Sequence, residues 1–211
     1  MMKFSFVSNS CMSIYLYKYY NPNINQKLID YTNPFISSLF SDDESWVRLC
    51  ENYDYYTSLE PRFGEPINEN FFRDCGIRRF HEGYLAMFLG DVEIQWIHDY
   101  NSELLLKKYK GRLELSKNFE LLFIWCDAEM FNIHTEKERK SLLKRYCEIK
   151  YKKIFLTKYS EEEYEDEKTI IKFVPEWEGK SQYDRLKPYF IAWYKQSTTA
   201  DMFIKIINKL L

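Results

Sequence analysis

The chain lacks the cysteine patterns that usually announce a site or a secreted fold. Its five cysteines, Cys11, Cys50, Cys75, Cys126 and Cys147, are odd in number and widely spread. No CxxC pair is present, which argues against a zinc knuckle and against a disulfide framework and suits a reducing cytoplasm. Long hydrophobic runs are missing too: none approaches the roughly 20 residues that a membrane helix needs. Met1 to Val7 carries one lysine and too short an apolar stretch for a signal peptide. The formal charge of −2 supplies no basic stripe, so nucleic acid is not the expected partner. Glycine is scarce, at 6 residues, and neither an internal repeat nor a low-complexity tract interrupts the pattern.

What is present is ample for one core. Hydrophobic residues make up 45% of 211 residues and charged ones 29%, which fits a single domain over 1–211. Aromatic residues reach 18%, with 18 Tyr and 16 Phe. Such usage suits an AT-rich genome as readily as a sugar-stacking surface. The organising stretch is Tyr84 to Asp127. Val92 to Ile97 reads as a strand ending in His98-Asp99; Leu104, Leu105, Tyr109, Leu113 and Leu115 recur at helical spacing; Leu121 to Trp125 reads as a strand ending in Cys126-Asp127. Two strands joined through a helix predict a crossover unit, with ligands gathering at the carboxyl ends of the strands.

Around that block, Lys3 to Val7 predicts an opening strand, Ser8-Asn9-Ser10 a turn or cap, and Cys11 to Tyr20 a helix ending before Asn21-Pro22-Asn23. Asn33-Pro34 predicts a helical segment through Phe40. Ser41-Asp42-Asp43-Glu44 predicts the cap of a helix carrying Trp46, Val47, Leu49 and Cys50. Tyr53 to Gly83 loses periodicity and reads as a flap, with Arg62, Arg73, Arg78, Arg79 and His81 as possible ligands for an anion such as phosphate. Thr135 to Glu138 caps a helix through Cys147 with Leu142, Leu143 and Tyr146 facing in. Lys153 to Thr157 and Thr169 to Val174 predict strands, Ser160 to Lys168 an acidic exposed segment, and 198–211 a terminal helix. Alternating strands and helices predict an α/β fold with a largely parallel sheet flanked by helices.

Ser8-Asn9-Ser10-Cys11, the loop Asn21-Pro22-Asn23-Ile24-Asn25, and above all Leu89 to His98 (LGDVEIQWIH) resemble one family. It is the family of uncharacterised exopolysaccharide biosynthesis proteins. Its pattern runs from a strand and Ser-Asn-Asn-Cys through Gly-Asp-Val-Glu-Ile and a His to an acidic helix with paired arginines. The resemblance covers most of the chain, from the first strand to Trp193. Ser10 stands where the pattern has Asn, Met12-Ser13 where it has a glycine pair, and Gly111-Arg112 keeps one arginine of two. The resemblance implies a role in capsule or surface-glycan assembly.

Two constellations could carry chemistry. A thiol in the first turn of a helix, as expected for Cys11, has its pKa lowered by free backbone donors and the helix dipole. With His98 as base and Asp91, Glu93 or Asp99 as orienting carboxylate, it could transfer or hydrolyse an acyl group on a sugar. Asn9 or nearby backbone amides would then serve as oxyanion donors. Ser8, Asn9, Ser10, Asp99 and Arg112 are the candidate substrate contacts. The second constellation is Asp127-Ala128-Glu129, an acid-x-acid turn after an apolar strand, similar to the turn that holds Mn or Mg against the diphosphate of a nucleotide-sugar in glycosyltransferases. Asp91-Val92-Glu93 has the same spacing at the start of a strand. A non-catalytic glycan-binding or assembly protein is the alternative, with Trp96, Trp125, Trp177, Trp193, Tyr53, Tyr55 and Tyr56 as its aromatic supply.

Overall fold

Apolar runs too short for helices become strands wherever they can be covered on both faces. Phe4–Ser8 (β1), Glu120–Cys126 (β6), Lys152–Thr157 (β7) and Thr169–Phe173 (β9) do so here, and they lie parallel to one another. The structure is a computed structural model, described for residues 4–9, 33–35, 38–40, 42–67, 85–96, 101–126, 135–157, 159–174, 205–206 and 208–210. A two-residue strand, Tyr164–Glu165 (β8), adds antiparallel to β9 and completes a five-stranded sheet of order β1-β6-β7-β9-β8. The α/β expectation with a largely parallel sheet holds.

A second sheet is antiparallel. It has the order β2-β5-β4-β3 and is made of Ser38–Phe40 (β2), Arg62–Gly64 (β3), Leu85–Leu89 (β4) and Val92–Trp96 (β5). This corrects two expectations. Val92–Trp96 and Glu120–Cys126 are not neighbours in one crossover unit; β5 turns back on β4 through Gly90-Asp91, a two-residue hairpin turn in which Gly90 adopts φ 62°. Ser38–Phe40 is a strand rather than the end of a helix, because its backbone pairs with Ile94–Trp96. The predicted flap is also partly regular. Tyr53–Ser58 forms a short helix (α2), and Arg62–Gly64 is the β3 edge.

Helix caps fall where their chemistry predicts. Asp42 caps Asp43–Glu51 (α1), accepting from the Ser45 backbone N–H at 2.5 Å. Asn101 caps Ser102–Ser116 (α3), and Thr135 with Glu138 forms a reciprocal capping box on Glu136–Cys147 (α4). On α3, Leu105 and Tyr109 are buried while Leu104 and Leu115 are exposed, so the inward stripe is narrower than the apolar spacing implied. One apolar core takes residues from both sheets: Val7 and Phe123 meet Phe40, Met87 and Ile94, with Trp46 and Tyr53 from the helices between. Its contacts are edge-on aromatic pairs such as Phe40–Trp46 at 4.9 Å and Tyr53–Phe123 at 5.4 Å. Arg145 on α4 bonds both Glu44 and Glu51, at 2.7–2.8 Å, and so fixes α4 against α1. The described pieces of the predicted terminal helix, 205–206 and 208–210, are helical and bury Ile206 and Leu210. No helix among the described residues is long and apolar enough to cross a membrane.

Candidate functional site

The carboxyl edge of the parallel sheet is where polar groups are buried in spite of the apolar strands beneath them. β1 ends in Ser8 and Asn9, 0% and 2% exposed. The Asn9 backbone N–H donates to the Ile124 carbonyl at 3.3 Å, and its own carbonyl accepts from the Phe40 N–H at 3.3 Å. One residue therefore joins the parallel sheet to the antiparallel one. Its main-chain donor is engaged, which takes that N–H out of the oxyanion role.

The next strand end, on β6, carries Trp125. Its indole N–H donates at 3.0 Å to Asp43, a buried carboxylate in the first turn of α1. Two forces keep a carboxylate there: the charge-assisted hydrogen bond and the positive end of the helix dipole. Sequence reasoning treated Asp43 only as part of a cap. Its neighbour Asp42 is the true cap, and nothing local marks Asp43 as the residue that reaches across to β6.

At the end of β7 lies a third cluster. The Thr157 hydroxyl donates to Glu162 at 2.8 Å, and Arg139 on α4 meets the same carboxylate at 2.7 Å and 2.5 Å. The two charged side chains are only 11% and 6% exposed. The Arg139 guanidinium also lies 3.7 Å from the Tyr159 ring centre. The expectation that Ser160 to Lys168 is wholly exposed fails at Glu162, which turns inward to meet this arginine. The planar guanidinium explains why an arginine is found there, since it offers a fork to the carboxylate and a flat face to the ring.

Of the residues singled out from sequence, Ser10, Cys11, His98, Asp99, Asp127 and Glu129 lie outside the described residues, as do Arg73, Arg78, Arg79 and His81. Asp91 is placed in the β4–β5 turn, where it accepts from Arg48 and, at 2.9 Å, from the Tyr56 hydroxyl. Partial burial works to raise its pKa, but these hydrogen bonds and the Arg48 charge outweigh it and hold the carboxyl below its ordinary value. Asp91 precedes β5, whereas His98 follows it. At about 3.4 Å per residue the intervening strand is roughly 17 Å long. Glu93 lies on β5 but on the face opposite Ile94 and Trp96, where it accepts from the Gln95 amide at 2.8 Å. Arg112 is buried on α3 with its guanidinium 6.0 Å from the Trp96 ring centre. Arg62, the one described arginine of the flap, is exposed.

Both cysteines whose thiols are described are poorly suited to nucleophilic work. Burial pushes the Cys50 thiol well above its ordinary pKa, with Glu51 adding to it. Burial likewise raises Cys147. Among the described residues no group of three or more His, Cys, Asp or Glu could hold a metal ion. No protein-family model matches the chain, and no curated protein matches it.

Proposed function

We propose that the chain is a transferase of surface-polysaccharide biosynthesis that modifies a glycan at the carboxyl edge of its parallel sheet. Cys11 is the nucleophile, His98 its base, and Asp99 the orienting carboxylate, since Asp91 and Glu93 are committed elsewhere. The Cys11 thiolate attacks the acyl carbonyl of a donor, and a thioester forms as the donor's leaving group departs with a proton from the imidazolium. A sugar hydroxyl then attacks the thioester, passes its proton to the imidazole, and releases the thiolate. The observation that supports this reading is the buried polar end of β1, Ser8-Asn9, which lies beside the end of β6 at the sheet edge where ligands of α/β folds bind.

The test is the pH dependence of alkylation at each cysteine, read by peptide mass spectrometry. Cys11 should react rapidly well below the ordinary thiol pKa of about 8.5, and lose that reactivity in His98→Ala. Cys50 and Cys147, with their pKa raised by burial, are internal references. Cys11 reacting no faster than these two would refute the thiol mechanism.

A second reading is favoured by Asp43. Its carboxylate is held by Trp125, two residues before Asp127, which places one buried acid next to the chain leading into Asp127-Ala128-Glu129. In that reading Asp127 and Glu129 hold Mn or Mg, which neutralises the diphosphate of a nucleotide-sugar. Thermal stabilisation by manganese with a nucleoside diphosphate, lost in Asp127→Asn, would support it. A glycan-binding protein without catalysis would show neither response.

A further inference from the structure

Helix α3 buries one face and leaves the opposite one in solvent. Leu105, Tyr109, Arg112 and Ser116 form the buried row, each one turn from the next. Leu104, Lys107, Gly111 and Glu114 recur at the same helical spacing on the far side, and all four are exposed. Leu115 flanks that outer row; it and Leu104 are 40% and 46% exposed. We propose that the outer face of α3 is where two copies of the chain associate, their helices crossing antiparallel at Gly111.

Glycine inside a helix is less stable than alanine, because it gives up more backbone freedom on folding. Among the described residues nothing asks for one at position 111. Positive φ is confined to Gly90, and a Cβ added at Gly111 would meet no atom within 4 Å. The missing side chain therefore makes no room for the chain's own packing. What it permits is close approach from outside: helix axes lie about 8–10 Å apart depending on the side chains at the contact, and a glycine there allows the short end of that range. On either side of it, Leu104 and Leu115 offer apolar surface to whatever comes near.

The charges say what approaches, and in which direction. With a two-fold axis between Lys110 and Gly111, Lys107 of each copy lies opposite Glu114 of the other. Glu103 is then one position from directly opposite Lys117 of the other copy, and Leu104 two positions from Leu115. Every charge in the outer row thus meets its opposite, which is the self-complementarity that a two-fold interface requires. Parallel helices would instead set Lys107 beside Lys107 and Glu114 beside Glu114. Lys107 and Glu103 make no ion pair among the described residues. Glu114 pairs with Lys117 on its own helix, but at 73% and 65% exposure that contact is weak and readily exchanged. One helix pair about 22 Å long makes a small interface, below about 1,200 Å², so the dimer is weak and reversible. This inference does not depend on the reading of the carboxyl edge, since an inert Cys11 would leave the helix face unchanged.

The experiment is sedimentation equilibrium of the full chain from micromolar to millimolar concentration at low ionic strength, where exposed charges are least screened. The average mass should rise from that of one chain toward that of two. Gly111→Gln should weaken association tenfold or more while leaving the thermal midpoint of the dilute protein no lower, since glutamine is the better helix former. Lys107→Glu and Glu114→Lys should each weaken association several-fold, and the two together should restore it. Two turns apart, these residues do not meet within one helix, so recovery in the double variant reads contact between copies. All three positions are exposed, and far-ultraviolet circular dichroism confirms that each variant is folded. A chain that stays monomeric throughout overturns the proposal. So does association untouched by Gly111→Gln, and so does a double charge reversal that restores nothing.

Discussion

Replacing Glu162 by alanine should be among the most damaging single changes in the described part of the chain. The carboxylate is nearly buried against Arg139 and also accepts from the Thr157 hydroxyl. Removing it takes the paired carboxylate from a guanidinium that is 11% exposed, and breaking a buried pair from one side costs about 3–5 kcal/mol. Urea unfolding followed by tryptophan fluorescence measures it. With a slope of about 1–3 kcal/mol per molar urea, the midpoint should fall by at least about 1 M. Replacing both partners, Arg139→Met with Glu162→Leu, should cost clearly less than the sum of the single changes, because two apolar side chains leave no charge stranded. Arg139→Lys should fall between, since it keeps the charge but loses the fork and the flat contact with Tyr159. A Glu162→Ala midpoint indistinguishable from that of the unmodified chain would refute the reasoning, and strictly additive single changes would show that the two side chains are not coupled.

Two further outcomes are expected. Gly90→Ala should lower stability by about 1–2 kcal/mol: Gly90 sits at φ 62°, and the new Cβ would meet Leu59 at 3.2 Å. A thermal midpoint that does not fall would contradict it. Asp91→Asn should remove a pH-dependent contribution of at most about 1 kcal/mol, small because the side chain is 61% exposed. The folded pKa of Asp91 lies below its ordinary value. Its contribution is therefore present above that ordinary value, near 4, and lost as pH falls through the folded one. The stability gap between variant and parent, measured by urea unfolding from pH 7 to pH 3, should narrow toward the acid end, and a gap that widens would reverse the sign.

How far the sequence carried the fold depended on whether the cause was local. The capping box at Thr135-Glu138, the Asp42 cap, and the apolar runs of β1, β6, β7 and β9 are written in adjacent residues, and they were legible. Strand partners are not written that way. Val92 to Trp96 has the same alternation whether it pairs with β6 or with β4, and the decisive signal was the Gly90-Asp91 turn between two apolar runs. Ser38–Phe40 is a strand only because β5 offers it an edge. The Asp43–Trp125 and Arg139–Glu162 contacts join residues distant in sequence, and an acid in a charged run looks the same whether it turns out or in. Of the candidate site, Ser8 and Asn9 were legible as polar residues closing the first apolar run, whereas the contacts of Asp91 with Arg48 and Tyr56 depend on a pairing that spacing alone cannot show.

The pairing of β1 with β6 bears on how the chain is made. Phe4 is opposite Glu120, so this pairing, the one that β1 makes among the described strands, cannot form until more than a hundred further residues have been synthesised. At about 5–20 residues per second the wait is roughly 6–23 s. The second sheet is encoded inside that interval, and its β4–β5 hairpin can close in microseconds once its residues emerge. In the described pairings the order of assembly on the ribosome is therefore the reverse of the order of the sheets in the chain: the hairpin of the inserted antiparallel sheet can form first, and the β1–β6 pairing waits for the middle of the protein to arrive.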